Sequence, residues 1–196
     1  MSRINKENAV RNVYRVWMIG MLLILMVLAF AGCGQAPAQG AAPSGGKLRI
    51  VATTTMLADL ARELGGDKVE VSALMEAGID PHLYKASAGD VETMQKADLV
   101  VYNGLHLEGK MEEVFENLEK MGKSVVMIAS NLSEDQLLKD EESGGHDPHI
   151  WFDVKIWKAA AVNLRDGLIA RDSANADFYK ERYNQYAVKL DELDAY

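Results

Sequence analysis

The sequence predicts an α/β fold: about four mainly parallel strands flanked by helices, followed by two long helices. Three observations carry this. From Lys47 onward, short apolar runs alternate with stretches of helical spacing. The runs are apolar on consecutive residues, as in Leu99-Val-Val-Tyr102, which is the pattern of strands covered on both faces. Glycine pairs and polar breaks separate the elements at the spacing of βαβ units.

Each element has its own signal. Lys47–Thr55 reads as a strand that ends in three hydroxyls, and Met56–Leu64 as a helix closed by Gly65-Gly66. Val69–Met75 alternates as a second strand, and the loop Glu76–Lys85 follows it. Ser87 is an expected N-cap, with Asp90 three residues on, for a helix running to about Lys96. Asp98–Tyr102 is a third strand, Asn103–Glu108 its loop, Lys110–Met121 a helix and Ser124–Ala129 a fourth strand. Asn131–His146 is a polar, acidic surface loop with a helical turn expected near Asp135. Val154–Arg171 is a helix with a small-residue centre at Ala159-Ala-Ala161. After a break at Asp172–Ala176, Asp177–Tyr196 forms a charged helix whose Tyr179, Tyr183 and Tyr186 are assigned to packing. These last helices are expected to be a bridge whose far end is missing, the chain being a fragment or a truncated product.

Residues 1–33 read as an export segment. Arg3, Lys6, Arg11 and Arg15 precede an uncharged apolar run from Val16 to Ala31, short of the ~20 residues a membrane-spanning helix needs. The run ends in Phe30-Ala31-Gly32-Cys33, which looks like a bacterial lipobox in which Cys33 would be acylated. Cys33 is the one cysteine of the chain, so no internal disulfide or thiolate cluster is available. Residues 34–46 are rich in Gly, Ala and Pro and read as a flexible tether. The expected organisation is therefore 1–33 lipoprotein signal, 34–46 tether, 47–152 an α/β lobe, and 153–196 linker helices.

Four of the 21 basic residues and one of the 29 acidic residues precede Lys47, so the remainder holds 17 basic and 28 acidic residues, a net −11. This charge argues against a nucleic-acid partner and suits a cation.

One short pattern occurs twice. Asp80-Pro81-His82-Leu83-Tyr84 is echoed by Asp147-Pro148-His149-Ile150-Trp151, and beyond Pro37 and Pro43 these motifs hold the only prolines. Proline fixes its own φ and drives the residue before it toward an extended backbone, so each histidine follows a stiff corner. Such a corner suits an imidazole that must be held as a metal ligand. Asp80 and Asp147 are placed to accept hydrogen bonds beside those imidazoles. Both motifs, and the loop carrying His106, follow strands, so all can lie on the one sheet edge where α/β proteins bind ligands.

With Thr53-Thr54, Gly78–Tyr84, Ala97–Glu108 and Asp147–Asp153, the chain from about Lys47 to Tyr196 resembles the substrate-binding lipoproteins of zinc/manganese ABC transporters, some of them labelled adhesins. The resemblance implies two α/β lobes joined by a long helix, with the metal between them. It implies that His82 and His149 are ligands. The remaining two, a His or Glu and then an Asp, would come from a second lobe that this sequence does not reach. It implies Zn²⁺ or Mn²⁺ as cargo, an ABC permease as partner, and attachment to the membrane through lipid on Cys33, outside the cytoplasm. Two departures stand out. Lys85-Ala86-Ser87 replaces the usual Glu-Pro-Ser, and the loop before the second motif carries only His146, which points toward manganese or mixed metal use.

His106 is expected to line the site, His146 to be a solvated loop residue, and Glu108 to be an acid at a helix N-terminus. Tyr84 and Trp151 are expected to be walls that exclude water. Two imidazoles alone bind a metal weakly; four ligands close the shell and leave no activated water, which means capture rather than catalysis. Two other readings differ in class. A zinc hydrolase needs an open coordination position and a general base, and no His-Glu-x-x-His or Gly-x-Ser-x-Gly pattern is present. A surface adhesin without a transport role would bind host protein even in the presence of chelator.

Overall fold

The computed structural model describes residues 46–140 and 144–196; the expected signal, the lipobox with Cys33 and nearly all of the tether lie outside the described residues. Among the described residues there are four strands: β1 (Leu48–Ala52), β2 (Val69–Ala73), β3 (Leu99–Tyr102) and β4 (Val125–Met127). Five α-helices accompany them: α1 (Thr55–Gly65), α2 (Ala88–Lys96), α3 (Glu112–Lys120), α4 (Val154–Arg171) and α5 (Ala176–Asp194). The strands form one sheet in the order β2-β1-β3-β4, and every pairing is parallel. Ile50 sits opposite Val71 on one side and Leu99 on the other.

The consecutive apolar residues of the strands are explained by two cores. Leu48, Ile50 and Ala52 of β1, with Leu99 and Val101 of β3, join a core built with α1, α4 and α5. The alternate residues Val51 and Val100 join a second core with Met94 of α2 and with Phe115 and Leu118 of α3. This is the period-2 alternation of a pleated strand, with apolar partners on both faces.

Local signals set the helix ends. The Thr54 side chain caps α1 by accepting from Leu57 N, and Gly66 leaves it at φ 53° with its N–H on Arg62 O. Ser87 and Asp90 form a reciprocal capping box at α2, and Asp153 accepts from Lys155 N and Ile156 N at the start of α4.

One expectation changes. The fourth strand stops at Met127 instead of Ala129, and a 3₁₀ turn covers Ile128–Asn131. Asn163 of α4 draws the chain out of the ladder, donating to Ile128 O, Ser130 Oγ and Asn131 Oδ1, each at 2.9 Å. The helices of residues 153–196 pack on the sheet, and the core runs on across 152/153. Trp157, Ala160, Ala161, Leu164 and Leu168 of α4 are buried in the core shared with β1 and β3, and Tyr179 and Leu190 of α5 join them. Tyr179 Oη donates to Asp172 Oδ2 (2.7 Å), Trp157 Nε1 to Tyr186 Oη (3.0 Å), and Arg182 Nε to Glu63 O of α1 (2.8 Å). The tyrosine spacing in 177–196 pointed to packing. It could not show that the packing is against this sheet.

Gly167 marks how closely α4 lies on the sheet: a Cβ there would stand 2.7 Å from Val126 Cγ2. Intrinsic propensity alone would make Gly167→Ala stabilising by up to about 1 kcal/mol. Against the sheet it is expected to destabilise by about 1–3 kcal/mol through overpacking. Urea unfolding decides; a raised midpoint would mean that α4 does not lie against β4.

Candidate metal centre

Parallel pairing sends all four strands out through the same edge, and the loops that follow them carry the candidate residues. Both Asp-Pro-His motifs fold through the same local device. Asp80 Oδ1 accepts the N–H of His82 at 2.9 Å, and Asp147 Oδ1 accepts that of His149 at 2.9 Å. An Asp side chain closing onto the N–H two residues on is an Asx turn, and the proline between them stiffens it.

The two turns bring their histidines together. Nε2 of His82 lies 3.3 Å from Nε2 of His149, across 67 residues of sequence. The rings are tilted at 59° with centroids 5.2 Å apart, so the nitrogens converge without stacking. Two imidazole nitrogens on one tetrahedral zinc, each bonded at ~2.05 Å, stand ~3.3 Å apart. The observed separation matches the edge length of such a polyhedron.

The tautomer of His149 follows from its neighbour. Nδ1 lies 2.6 Å from Asp147 Oδ1, and a carboxylate can only accept, so Nδ1 carries the proton. The neutral ring then presents a lone pair at Nε2, toward His82. The backbone and ring N–H groups of His149 hold the Asp147 carboxyl below the usual carboxylate range. Asp80 differs: its bond is to the backbone of His82, so the aspartate-to-imidazole contact is present in the second motif alone.

The walls differ in part from expectation. Trp151 stands edge-on to His149, with centroids 5.2 Å apart. Phe152, which sequence reasoning passed over, lies 6.5 Å from the same ring and is 82% exposed. Its position next to Trp151 was the available signal. Tyr84 turns elsewhere. Its hydroxyl donates to Asp90 Oδ2 at 2.9 Å, and its ring packs with the core between the sheet and α2. Burial first, and then the Asp90 carboxylate, push its phenol up to about 12. Tyr84 anchors the first loop to the capping box of α2.

His106 does not join the pair. Its Nδ1 lies 2.5 Å from Glu112 Oε1, and with His146 it lines a separate depression beside Glu116 and Met127. His146 makes a β-bridge with Lys139. Among the described residues, no group of three or more His, Cys, Asp or Glu side chains could hold a metal ion. His82 and His149 are the two candidate ligands that the fold brings together.

Beneath them lies a buried polar floor. Glu108 is buried, and so are Asn103 and Thr53. The Glu108 carboxylate accepts Thr53 Oγ1 at 2.6 Å, Asn103 N at 2.9 Å and Gly104 N at 3.2 Å. Glu108 stands at the start of the 3₁₀ turn Gly109–Met111 and is a buried acceptor there. Burial pushes its carboxyl above the ordinary value, against the pull of these donors. The turn that folds it back runs through positive φ at Gly104 (86°), Leu105 (53°) and His106 (61°). The two non-glycine residues each cost about 1–2 kcal/mol there, which the carboxylate's bonds offset. At Gly104 a Cβ would also stand 2.4 Å from Met127 Sδ.

With this geometry in place, comparison with known proteins identifies the lineage. Residues 50–196 match the family described as ZnuA, zinc-uptake complex component A, periplasmic. The chain belongs to this family. Among its relatives, the manganese-binding lipoprotein MntA of Bacillus subtilis is 36% identical over 177 residues, covering 89% of this chain and 57% of that protein. The zinc-binding protein TroA of Treponema pallidum is 41% identical over 155 residues, covering 79% of this chain and 50% of that one. The solved structure of the periplasmic zinc-binding protein TroA superposes with a TM-score of 0.72 at 42% identity, over 77% of this chain and 54% of that one. A manganese-bound periplasmic metal-binding protein from Candidatus Liberibacter asiaticus follows at 0.64 and 29% identity, over 73% of this chain and 53% of that one. The ZnuA-family chain thus spans about half the length of the curated relatives it matches.

The contact between Asp147 and His149 makes a testable statement about the proton. Asp147→Ala is expected to release His149 from the Nδ1–H tautomer, read in the imidazole ¹⁵N shifts at neutral pH. Because the native Asp147 carboxyl is depressed, its contribution is present above its unfolded value. It is lost as pH falls through the folded one, so the ionised Asp147 acceptor beside Nδ1 should persist until well into acid. An unchanged ¹⁵N pattern in Asp147→Ala would show that the carboxylate does not set the tautomer.

Proposed function

We propose that this chain captures Zn²⁺ or Mn²⁺ outside the cytoplasmic membrane and hands it to an ABC-type importer. The observation that carries the reading is the 3.3 Å separation of the His82 and His149 Nε2 atoms, delivered by two Asp-Pro-His turns 67 residues apart. In this reading His82 and His149 are two of four ligands. A second lobe, joined through the segment after Trp151, supplies a His or Glu and an Asp. Lipid on Cys33 and the tether to residue 46 hold the protein at the membrane surface, within reach of its permease. Relatives named as manganese-binding and zinc-binding proteins support either metal as cargo.

The chemistry of capture follows from the donor set. His149 offers a lone pair at Nε2 while Asp147 retains the Nδ1 proton, so binding through that atom needs no proton release from the neutral ring. Trp151 stands edge-on to the ring, with Phe152 farther out at 6.5 Å. Four protein ligands leave no open position for an activated water, so the bound ion is held and passed on without turnover. Imidazole must be neutral to bind, so capture weakens in acid as protons compete with the metal.

Titration of Zn²⁺ and Mn²⁺ into the protein and into His82→Ala and His149→Ala tests this. Each substitution is expected to lower Zn²⁺ affinity by at least about tenfold, or about 1.4 kcal/mol. Unchanged affinity in both variants would remove the basis of the reading.

A further inference from the structure

We propose that Asn103 is a positioning residue for His149, holding the second histidine loop through the carbonyl of Pro148, with Glu108 and Thr53 behind it. The inference rests on the metal reading above and assigns a role to residues that do not themselves reach the ion.

The second loop needs such a hold. Asp147 N donates to Leu138 O at 2.9 Å, and Ile150 N reaches back to Pro148 O at 2.9 Å, a bond within the turn. Asn103 Nδ2, 45 residues away in sequence and rooted just past the end of β3, donates to the same Pro148 O at 2.9 Å. That carbonyl is part of the peptide bond leading into His149. Moving it would swing the imidazole away from His82.

Asn103 is itself held firmly. Nδ2 also serves Gly104 O at 3.1 Å, so two carbonyls fix which end of the amide is nitrogen. Its backbone N–H is fixed by Glu108 Oε1, which Thr53 Oγ1 holds in turn. Thr53 also accepts Met75 N at 2.9 Å through its carbonyl, at the root of the loop carrying His82. One buried chain of hydrogen bonds therefore touches the bases of both histidine loops. Asn103 Oδ1 is buried with no hydrogen-bond partner among the described residues. An amide kept in a site that leaves its oxygen unserved is explained by what its nitrogen does. A hydrophobic residue would fill the space without that deficit, but it could not hold Pro148.

The test separates positioning from general stability by a double-mutant cycle. Zn²⁺ is titrated into the folded wild type, Asn103→Ala, His149→Ala and the double variant. Binding is followed by the ¹⁵N resonances of the imidazoles, and thermal midpoints are measured alongside. Asn103→Ala is expected to lower Zn²⁺ affinity about tenfold, the low end of what outer partners of a ligand contribute. Added to His149→Ala, it should lower affinity no further. Wild-type affinity in folded Asn103→Ala, or an equal loss in both backgrounds, overturns the proposal while leaving the metal reading intact. Full affinity in both His82→Ala and His149→Ala would overturn the metal reading and this proposal with it. If Asn103→Ala does not fold, Thr53→Val decides by the same criterion, with Thr53→Ser as the hydroxyl-keeping control that should restore affinity.

Discussion

A parallel sheet has only one edge from which its strands can exit, and this constraint places everything else. β2 leads into the loop of His82, β3 into the loop of Asn103 and Glu108, and β4 into the segment that ends at His149. Because β1 and β3 are central and β2 and β4 flank them, the two histidine loops start from opposite edges of the sheet and lean inward over its middle. The Nε2 to Nε2 contact at 3.3 Å is where they meet. Antiparallel pairing would send alternate loops to opposite ends, and no such meeting could occur.

Meeting alone does not hold two imidazoles in place. Two exposed imidazoles on surface loops lose rotamer freedom when they converge, and nothing in their own attraction repays it. Here the ordering is done before any ligand arrives. Asx turns fix the backbone of each histidine, Asp147 fixes one ring, and Tyr84 ties the first loop to the start of α2 through Asp90. Preorganisation of this kind removes a cost that would otherwise be taken out of affinity.

The same economy explains the buried carboxylate. An isolated anion beneath the two histidine loops would be expensive to bury. Glu108 is instead the acceptor for three donors that the tight turn after β3 turns inward. The left-handed residues Leu105 and His106 are the conformational cost of that turn, and Gly104 is the position where the close approach of Met127 leaves no room for a side chain. Burial on one side of the sheet by α4 and α5, and on the other by α2 and α3, keeps this arrangement dry from below.

Much of this was legible in the order of residues. Apolar runs marked the strands, Ser87 with Asp90 marked the cap of α2, and Val154–Arg171 was bounded correctly, because these signals act between residues a turn or less apart. The repeated Asp-Pro-His pattern singled out His82 and His149, since a stiff local corner is written in three consecutive residues. What tertiary structure alone decided were the contacts that cross the chain. It turned Tyr84 toward Asp90, separated His106 from the pair, buried Glu108 under Thr53 and Asn103, and seated α4 and α5 on the sheet. The physical reason is that burial and hydrogen-bond partners depend on which surfaces face each other. No spacing within a single loop or helix carries that information.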